Sequence, residues 1–490
     1  MLESIGRTGK VCAFWIVCSM ALVSGAGARG ISLREAEQMA LERNPQIAGA
    51  KASLDSARAG ITRARATILP SLAATAGYTW NAELPVVVMP APVGAVSIGE
   101  KHNYSLALTA RQPVFLGFAG VTGVRMAETA LQSSQLRLDA TTQTVIASVR
   151  EAYLAAVLSR MLVTVNEQAV AQAESSLALV QRRADVGSAS RFDLLRARVQ
   201  LATLRPNLTS ARSNRDLADG RLRLAIGVGE RDAITPSDTL AVFASEWAKV
   251  PLDSLRRIAR EQRTEIRQLD IGEQISNDAV TLSRSAYYPT VAAFATSQWE
   301  AQRPSLSVSS GDFRRVSMLG LQLNWTFWDS WKTPATVQMA RVGVRQLNLF
   351  RQLATDGISL EVEAAFHGLH EAELNLATGL ETVNQAAEAL RLASVMYSEG
   401  GNTQLDVISA QLALTSSRTQ YAQALYNYHV AHIRMKRHSV SPGSVRTEGA
   451  HRGRKDSKSH LDAYRRPTLD ICTRADRVPC DSRDRFFGLW

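Results

Sequence analysis

The chain has 490 residues, 46% hydrophobic and 6% aromatic, and its interior is dominated by Ala, Leu, Arg, Gln, Ser and Glu, the vocabulary of long coiled helices. Its net charge of +11 divides into +1 over residues 1–28 (Arg7 and Lys10 against Glu3), +4 over residues 441–490 (11 basic against 7 acidic) and +6 between. In that interior arginine is interspersed with acids, as from Gln181 to Val186 and from Arg256 to Arg263, which is a solvated helix face rather than a nucleic-acid stripe and excludes that class of partner.

Arg7 and Lys10 precede an apolar stretch from Val11 to about Val23, and Ala26-Gly27-Ala28 fits the small-x-small cleavage rule. Residues 1–28 therefore read as a signal peptide cut after Ala28; a retained anchor is the alternative, but the run falls short of the ~20 residues a spanning helix needs. No cysteine follows the run with small residues before it, so lipidation is not expected. Cys12 and Cys18 lie in this segment and Cys472 and Cys480 in the tail, so no disulfide framework holds the fold.

Beyond the signal the chain repeats itself. An offset of 219 lays Leu33 on Leu252, Ala40 on Ala259, Ile47 on Ile266, Pro70 on Pro289 and Trp80 on Trp299. After the next loop the offset becomes 213 and aligns Leu106 with Leu319, Tyr153 with Phe366, Gly187 with Gly400 and Asp193 with Asp406. The first repeat occupies 29–230, a linker 231–250 and the second repeat 251–437.

Each repeat has the same order. A helix (31–66, then 254–286) ends at Ile68-Leu69-Pro70 or Tyr287-Tyr288-Pro289, because the residue before proline leaves the helical region. Next come an extended stretch, a loop (81–102, then 300–314) and a second extended stretch. A helix of 69 residues (118–186, then 331–399), a glycine turn and a last helix (190–226, then 403–437) complete the unit. The extended stretches alternate: over 319–328, Leu319, Leu321, Leu323, Trp325 and Phe327 share one face, and over 71–80, Leu72, Ala74, Ala76, Tyr78 and Trp80 do so less cleanly. That is the length and pattern of a barrel strand with lipid outside and water inside; an ordinary half-buried soluble strand looks similar, and four such stretches, each joined to a long helix in an exported chain, favour the membrane. Four strands cannot close a barrel and lipid does not tolerate open edges, so the strands must be shared among chains; closure alone leaves two or three copies open. The long helices span roughly 100 Å at about 1.5 Å per residue, and two short helices end to end match one long one. The fold class is thus mainly α with a β-barrel contribution, in two tandem repeats whose antiparallel coiled helices form a long cylinder.

At this point the residues resemble the TolC-like outer-membrane efflux protein family. Ile31 to Ile47 is similar to its opening helix and Ala66 to Pro70 to its approach to the first strand. Gln112-Pro-Val-Phe115 and Trp325-Thr-Phe-Trp328 resemble its two strand ends. Val186-Gly187 leading to Phe192-Asp-Leu-Leu-Arg-Ala197, and Glu399-Gly400 leading to Leu405-Asp-Val-Ile-Ser-Ala410, resemble its two helical tips. The resemblance covers about residues 31–437. It implies a homotrimer with a twelve-stranded outer-membrane barrel continuous with a periplasmic helical tunnel. Such a channel is a passive exit duct that docks by its tips to a periplasmic adaptor and an inner-membrane pump. The cargo is small molecules, metals or, through a type I system, polypeptides; a helical scaffold without transport is the remaining alternative.

The resemblance also implies site residues. Asp406 matches a constricting acidic position, Tyr397 a gating tyrosine and Asp193 its bonding partner. Ser409 and Asn402 stand where the best-known members have a second acid and a base, which implies a thinner closed-state network. Asp193 and Asp406 read equally well as helix caps, and one residue can do both. Gly187, Gly400 and Gly401 supply the turns, and Ser188 to Ser190 with Asn402, Thr403 and Gln404 are the candidate adaptor surface. His367 and His370, with His429 and His432, form i, i+3 pairs on neighbouring helices, and His370 and His432 are each 31 residues from Gly401. Four imidazoles at one height could hold a transition metal. Without carboxylate or Cys partners they read instead as surface or packing residues, and no metal or cofactor is assigned. No phosphate loop, nucleophile elbow or His-Glu-x-x-His marks an enzyme. Residues 438–490 are basic, carry Pro442, Gly443, Gly449, Gly453 and Pro467, and read as disordered.

Overall fold

The computed structural model describes residues 29–439, apart from 91, 93, 230, 231, 233, 248 and 249. The expected signal peptide, all four cysteines and the tail beyond Ser439 lie outside the described residues. In chain order the elements are β1 (Arg29–Ile31), α1 (Leu33–Arg43), α2 (Pro45–Ala66), β2 (Ser71–Trp80), β3 (Val86–Met89), β4 (Gly94–Ser97), β5 (His102–Leu116), α3 (Ala119–Asp185) and α4 (Arg191–Ile226). The second half continues with β6 (Ile234–Pro236), α5 (Leu252–Gln262), α6 (Thr264–Arg284), β7 (Thr290–Arg303), β8 (Arg314–Asn324), α7 (Lys332–Ser398) and α8 (Gln404–Ser439).

The opening helix of each repeat, expected to be continuous, is broken. In the first, Ser32 and Glu35 form a capping box at the start of α1. Asn44 then caps α2, accepting from Gln46 N at 2.8 Å and donating to Ala225 O at 2.8 Å, while Pro45 takes the first helical position, where its missing N–H costs nothing. The second repeat breaks 219 residues later at Arg263, which has extended backbone (φ −66, ψ 137) and no proline beside it. The long helices α3 and α7 run for 67 residues each.

One antiparallel sheet has the order β2-β5-β7-β8, so β5 and β7 join the repeats. Its registers obey the duplication: Ser71 faces Arg111 in β2 and β5, and the offsets carry that pair to Thr290 and Asn324, which face each other in β7 and β8. Three details differ from expectation. The loop 81–102 holds the hairpin β3–β4, β7 extends to Arg303 into the expected second loop, and β8 spans Arg314–Asn324 rather than 319–328. The last shift has a physical cause: β7 begins at Thr290, which already faces Asn324, so residues 325–328 have no neighbour to pair with. Leu319 and Leu321 are 84% and 76% exposed, an apolar face that the described residues of one chain leave uncovered. Among the described residues no helix is long and apolar enough to cross a membrane.

The apolar cores are duplicated too. One gathers Ala40, Ile47, Val145, Val149, Ala156 and Leu222; the other gathers their counterparts Ala259, Ile266, Ile358, Val362, Leu369 and Met435. The first is further tied by Tyr153, whose hydroxyl donates to Ile31 O at 2.9 Å and accepts from Asp238 N at 3.2 Å. Where strand turns into long helix, Gly117 and Phe118 have φ of 60 and 71, and their counterparts Ser330 and Trp331 have 54 and 67. A left-handed non-glycine residue costs about 1–3 kcal/mol. At Phe118 the bend seats the ring edge-on against Phe115 and Tyr288, in the belt where aromatic side chains flank a barrel's apolar band.

Candidate functional site

The two glycine turns are built alike. At the first, Gly187 has φ +72, and the N–H groups of Ser188 and Ala189 return to Arg183 O at 2.8 and 3.2 Å, closing the carbonyl end of α3. At the second, Gly400 has φ +82 and Gly401 N returns to Met396 O at 2.8 Å. A side chain at either φ would be strained, although a Cβ at Gly187 or Gly400 would meet open space. Val186, Phe192 and Leu195 stand exposed around the first turn and Leu405 beside the second.

Neither aspartate is itself the cap: Asp193 and Asp406 stand in the first turns of α4 and α8, three residues after the capping hydroxyls of Ser190 and Thr403. Ser190 donates its hydroxyl to Asp193 Oδ2 at 2.6 Å and accepts from Asp193 N at 3.0 Å. Asp406 Oδ2 accepts from Thr403 N at 2.9 Å and from the Thr403 hydroxyl at 2.6 Å. The Thr403 hydroxyl, then its backbone N–H, hold the Asp406 carboxyl below the usual carboxylate range, so it is ionised at neutral pH and fully exposed. Within one chain the expected bond between Asp193 and Tyr397 is not made. Tyr397 instead lies under Arg183, whose guanidinium sits 4.8 Å from the ring centre and donates to Tyr397 O at 3.0 Å and Ser398 O at 2.8 Å. Arg183 is in the last turn of α3 and grips the last carbonyls of α7, where a cation meets the negative end of the helix dipole. Sequence reading missed it because an arginine near a helix end is ordinary; its offset from Tyr397 gives no periodic signal.

Gln404 deepens this junction. It is 2% exposed and donates to Ser176 Oγ at 3.1 Å, so the start of α8 is sealed against α3 rather than offered as docking surface. Ser188, Ser190 and Thr403 are exposed, whereas Ala189 and Asn402 are half-buried. Among the described residues, Asn402 and Ser409 make no side-chain hydrogen bond.

The histidines do not converge. His429 bonds Ala241 O at 3.1 Å, and it and His432 pack edge-on against Phe243. His367 and His370 are largely exposed, beside Glu363 and Glu373. Among the described residues no group of three or more His, Cys, Asp or Glu could hold a metal ion, which removes the four-imidazole arrangement.

The profile of the family described as outer membrane efflux protein matches residues 37–228 and 255–438. The chain is 21% identical over 411 residues to outer membrane protein TolC of Salmonella enteritidis, covering 83% of this chain and 81% of that one. It is 20% identical over 438 residues to the alkaline protease secretion protein AprF of Pseudomonas aeruginosa, covering 86% and 87%. The crystal structure of the Campylobacter jejuni CmeC outer membrane channel matches with a TM-score of 0.71 at 15% identity, over 84% of this chain and 88% of that one.

Proposed function

This chain belongs to the outer membrane efflux protein family and is a TolC-like channel protein of the outer membrane; from that premise we propose that three copies close one barrel and form a passive exit duct. The observation that carries the reading is the sheet itself. Among the described residues its edges β2 and β8 are unpaired, its β8 face is a row of exposed leucines, and its strands lead into helices of 67 residues. Unpaired backbone is not tolerated in lipid, so other copies must supply the missing neighbours. Below the barrel, the paired helices would line the duct, and the two glycine turns would form its far end.

At that end the exposed turns around Ser188 and Thr403 are the surface for a periplasmic adaptor, through which an inner-membrane pump supplies the energy. Asp406, ionised and exposed at the start of α8, is the acidic constriction; carboxylates in a narrow ring favour cations. Tyr397, held by Arg183, stands beside it. Small-molecule efflux is the principal reading. Export of polypeptides by a type I system is the alternative, favoured by the likeness to AprF along 86% of the chain.

Purified protein is expected to have a trimer's mass and to conduct in a planar bilayer; a monomer without conductance would sink the reading. In the same bilayer Asp406→Ala should relieve block by polyvalent cations, and unchanged block would remove Asp406 from the constriction. Cysteines placed at Ser188 and Thr403 should cross-link to a co-expressed adaptor, and cross-links arising only near the strands would remove the docking assignment.

A further inference from the structure

The duplication fixes how one copy joins the next. We propose that β8 pairs antiparallel with β2 of the next copy in a single register. Leu319 then lies opposite Trp80 of the partner subunit, Leu321 opposite Tyr78 of the partner subunit and Leu323 opposite Ala76 of the partner subunit. The proposal rests on the multi-copy channel reading and adds the identity of every facing pair.

The first support is that the offsets already carry register within the chain. Applied to the β2–β5 pairs, they reproduce the β7–β8 pairs residue for residue: Leu72 and Ala110 become Val291 and Leu323, and Trp80 and His102 become Trp299 and Arg315, which are the observed partners. The remaining pairing, β5 with β7, crosses from one repeat to the other: Leu106 faces Trp299, Leu108 faces Ser297 and Ala110 faces Ala295. Moving β5 forward by 213 turns it into β8, and moving β7 back by 219 turns it into β2. Since β8 has no second neighbour among the described residues of its own chain, that β2 belongs to another copy.

The second support is a difference in length. β5 has 15 residues and β8 has 11. β2 accompanies β5 only as far as Arg111; residues 112–116 are held by β7 alone, through an irregularity between Pro113 and Phe115. Their counterparts in the second repeat are 325–329, the residues at which β8 stops although its alternation continues through Trp325 and Phe327. The strand ends where its missing neighbour would begin to hold it. On assembly Trp325 meets Ala74 of the partner subunit, and Trp328, past the irregularity, meets Leu72 of the partner subunit.

The third support comes from the helices. α3 packs on its own repeat's α1, α2 and α4 and also on α6 and α8 of the other repeat. α7 has only the own-repeat counterparts α5, α6 and α8 as substantial neighbours, and Met339, Phe350, Leu353 and Leu360 along it are exposed. The same shift assigns its open side to α2 and α4 of the partner subunit. Face chemistry agrees, because residues directly opposite point to the same side of a sheet. In this register the leucine face of β8 continues into the Leu72–Trp80 face, and a slip of one residue would set it against Thr, Ser and Gly.

Disulfide formation tests the register. In a background carrying Cys472→Ser and Cys480→Ser, oxidised Leu323→Cys/Ala76→Cys should link chains into covalent oligomers up to trimer. The within-chain control is Ala110→Cys/Ala295→Cys, which occupies the equivalent place in the β5–β7 pair and should close at similar yield without linking chains. Leu323→Cys with Ala74→Cys or Tyr78→Cys puts the thiols a diagonal step apart and should yield on the order of tenfold less, since a disulfide needs Cβ atoms about 4 Å apart. Leu321→Cys/Tyr78→Cys, with control Leu108→Cys/Ser297→Cys, repeats the test should the first variant fail to fold. Strongest linkage at a diagonal pair in a conducting trimer overturns the register and leaves the channel; absence of trimer and conductance in the unsubstituted chain removes both.

Discussion

Inside the chain, the two repeats meet along α3 and α6 and at the glycine turns, and at both places an arginine bridges them. Arg125 donates to Asp278 in a bidentate pair, Nε to Oδ1 at 2.8 Å, and Arg183 grips Tyr397 and Ser398. Carried by the same offsets to the meeting of α7 with another copy, the first pair becomes Gln338 and Ala59 and the second becomes Met396 and Ala184. One further pair changes the other way: Arg418 donates to Gln168 at 2.7 Å within the chain, and the offsets would bring Arg205, which pairs with Glu174 at 3.3 Å in its own chain, towards Glu381 of the next copy. In the proposed assembly the positions equivalent to these two arginine ties hold no arginine between protomers, which predicts that tips part between copies while each protomer moves as a unit.

The largest expected effect tests whether the repeats are equivalent in energy as well as position. Leu222→Ala and Met435→Ala each remove a side chain of 0% exposure from corresponding places and should each cost about 2–5 kcal/mol. Denaturant unfolding in detergent checks this, and loss at only one site breaks the equivalence. Tyr153→Phe removes two hydrogen bonds that the second repeat, with Phe366 in that place, never makes; about 1–2 kcal/mol should be lost, and Phe366→Tyr should gain nothing.

At the tips, Arg183→Ala loosens only the within-chain tie and should leave single-channel conductance nearly unchanged. Met396→Arg should lower it by supplying the same tie between copies; a marked change with Arg183→Ala would contradict the division of labour.

A weaker effect is set by pH. Burial lowers the pKa of His429 and of His432, Lys436 lowers that of His432 further, and Glu246 opposes this in part. The fold therefore favours the neutral rings. Its stability is complete above the ordinary histidine value of about 6.5 and declines as pH falls below it, because the unfolded chain then binds more protons. Hydrogen exchange near Ala241 and Phe243 should quicken on acidification, and His432→Phe should blunt the response. Smallest of all, Glu381→Gln should weaken trimer stability by about 0.2–1 kcal/mol, the range of an exposed ion pair, and only in low salt.

Much of this fold was legible because it occurs twice. The residues Leu33, Ala40 and Ile47 found their counterparts by offset alone, and all the matched core positions follow from it. The break at Asn44 had a visible signal in Pro45, whereas Arg263 has none of its own and is readable only as the counterpart of Asn44. The alternation of Leu319 through Phe327 was real as a pattern, but a strand needs a neighbour as well as a period, and in one chain that neighbour ends at Thr290. At the tips the turn glycines and the aspartates in the first helical turns followed from local rules. Arg183 did not, since its partner is 214 residues away and neither end is unusual in composition.

The central claim is that a neighbouring copy completes what a single chain leaves open, and hydrogen exchange of the assembled protein tests it most directly. Amides of residues 325–329 should be protected to the same degree as those of 112–116, which β7 holds within the chain. Rapid exchange at 325–329 beside slow exchange at 112–116 would contradict it.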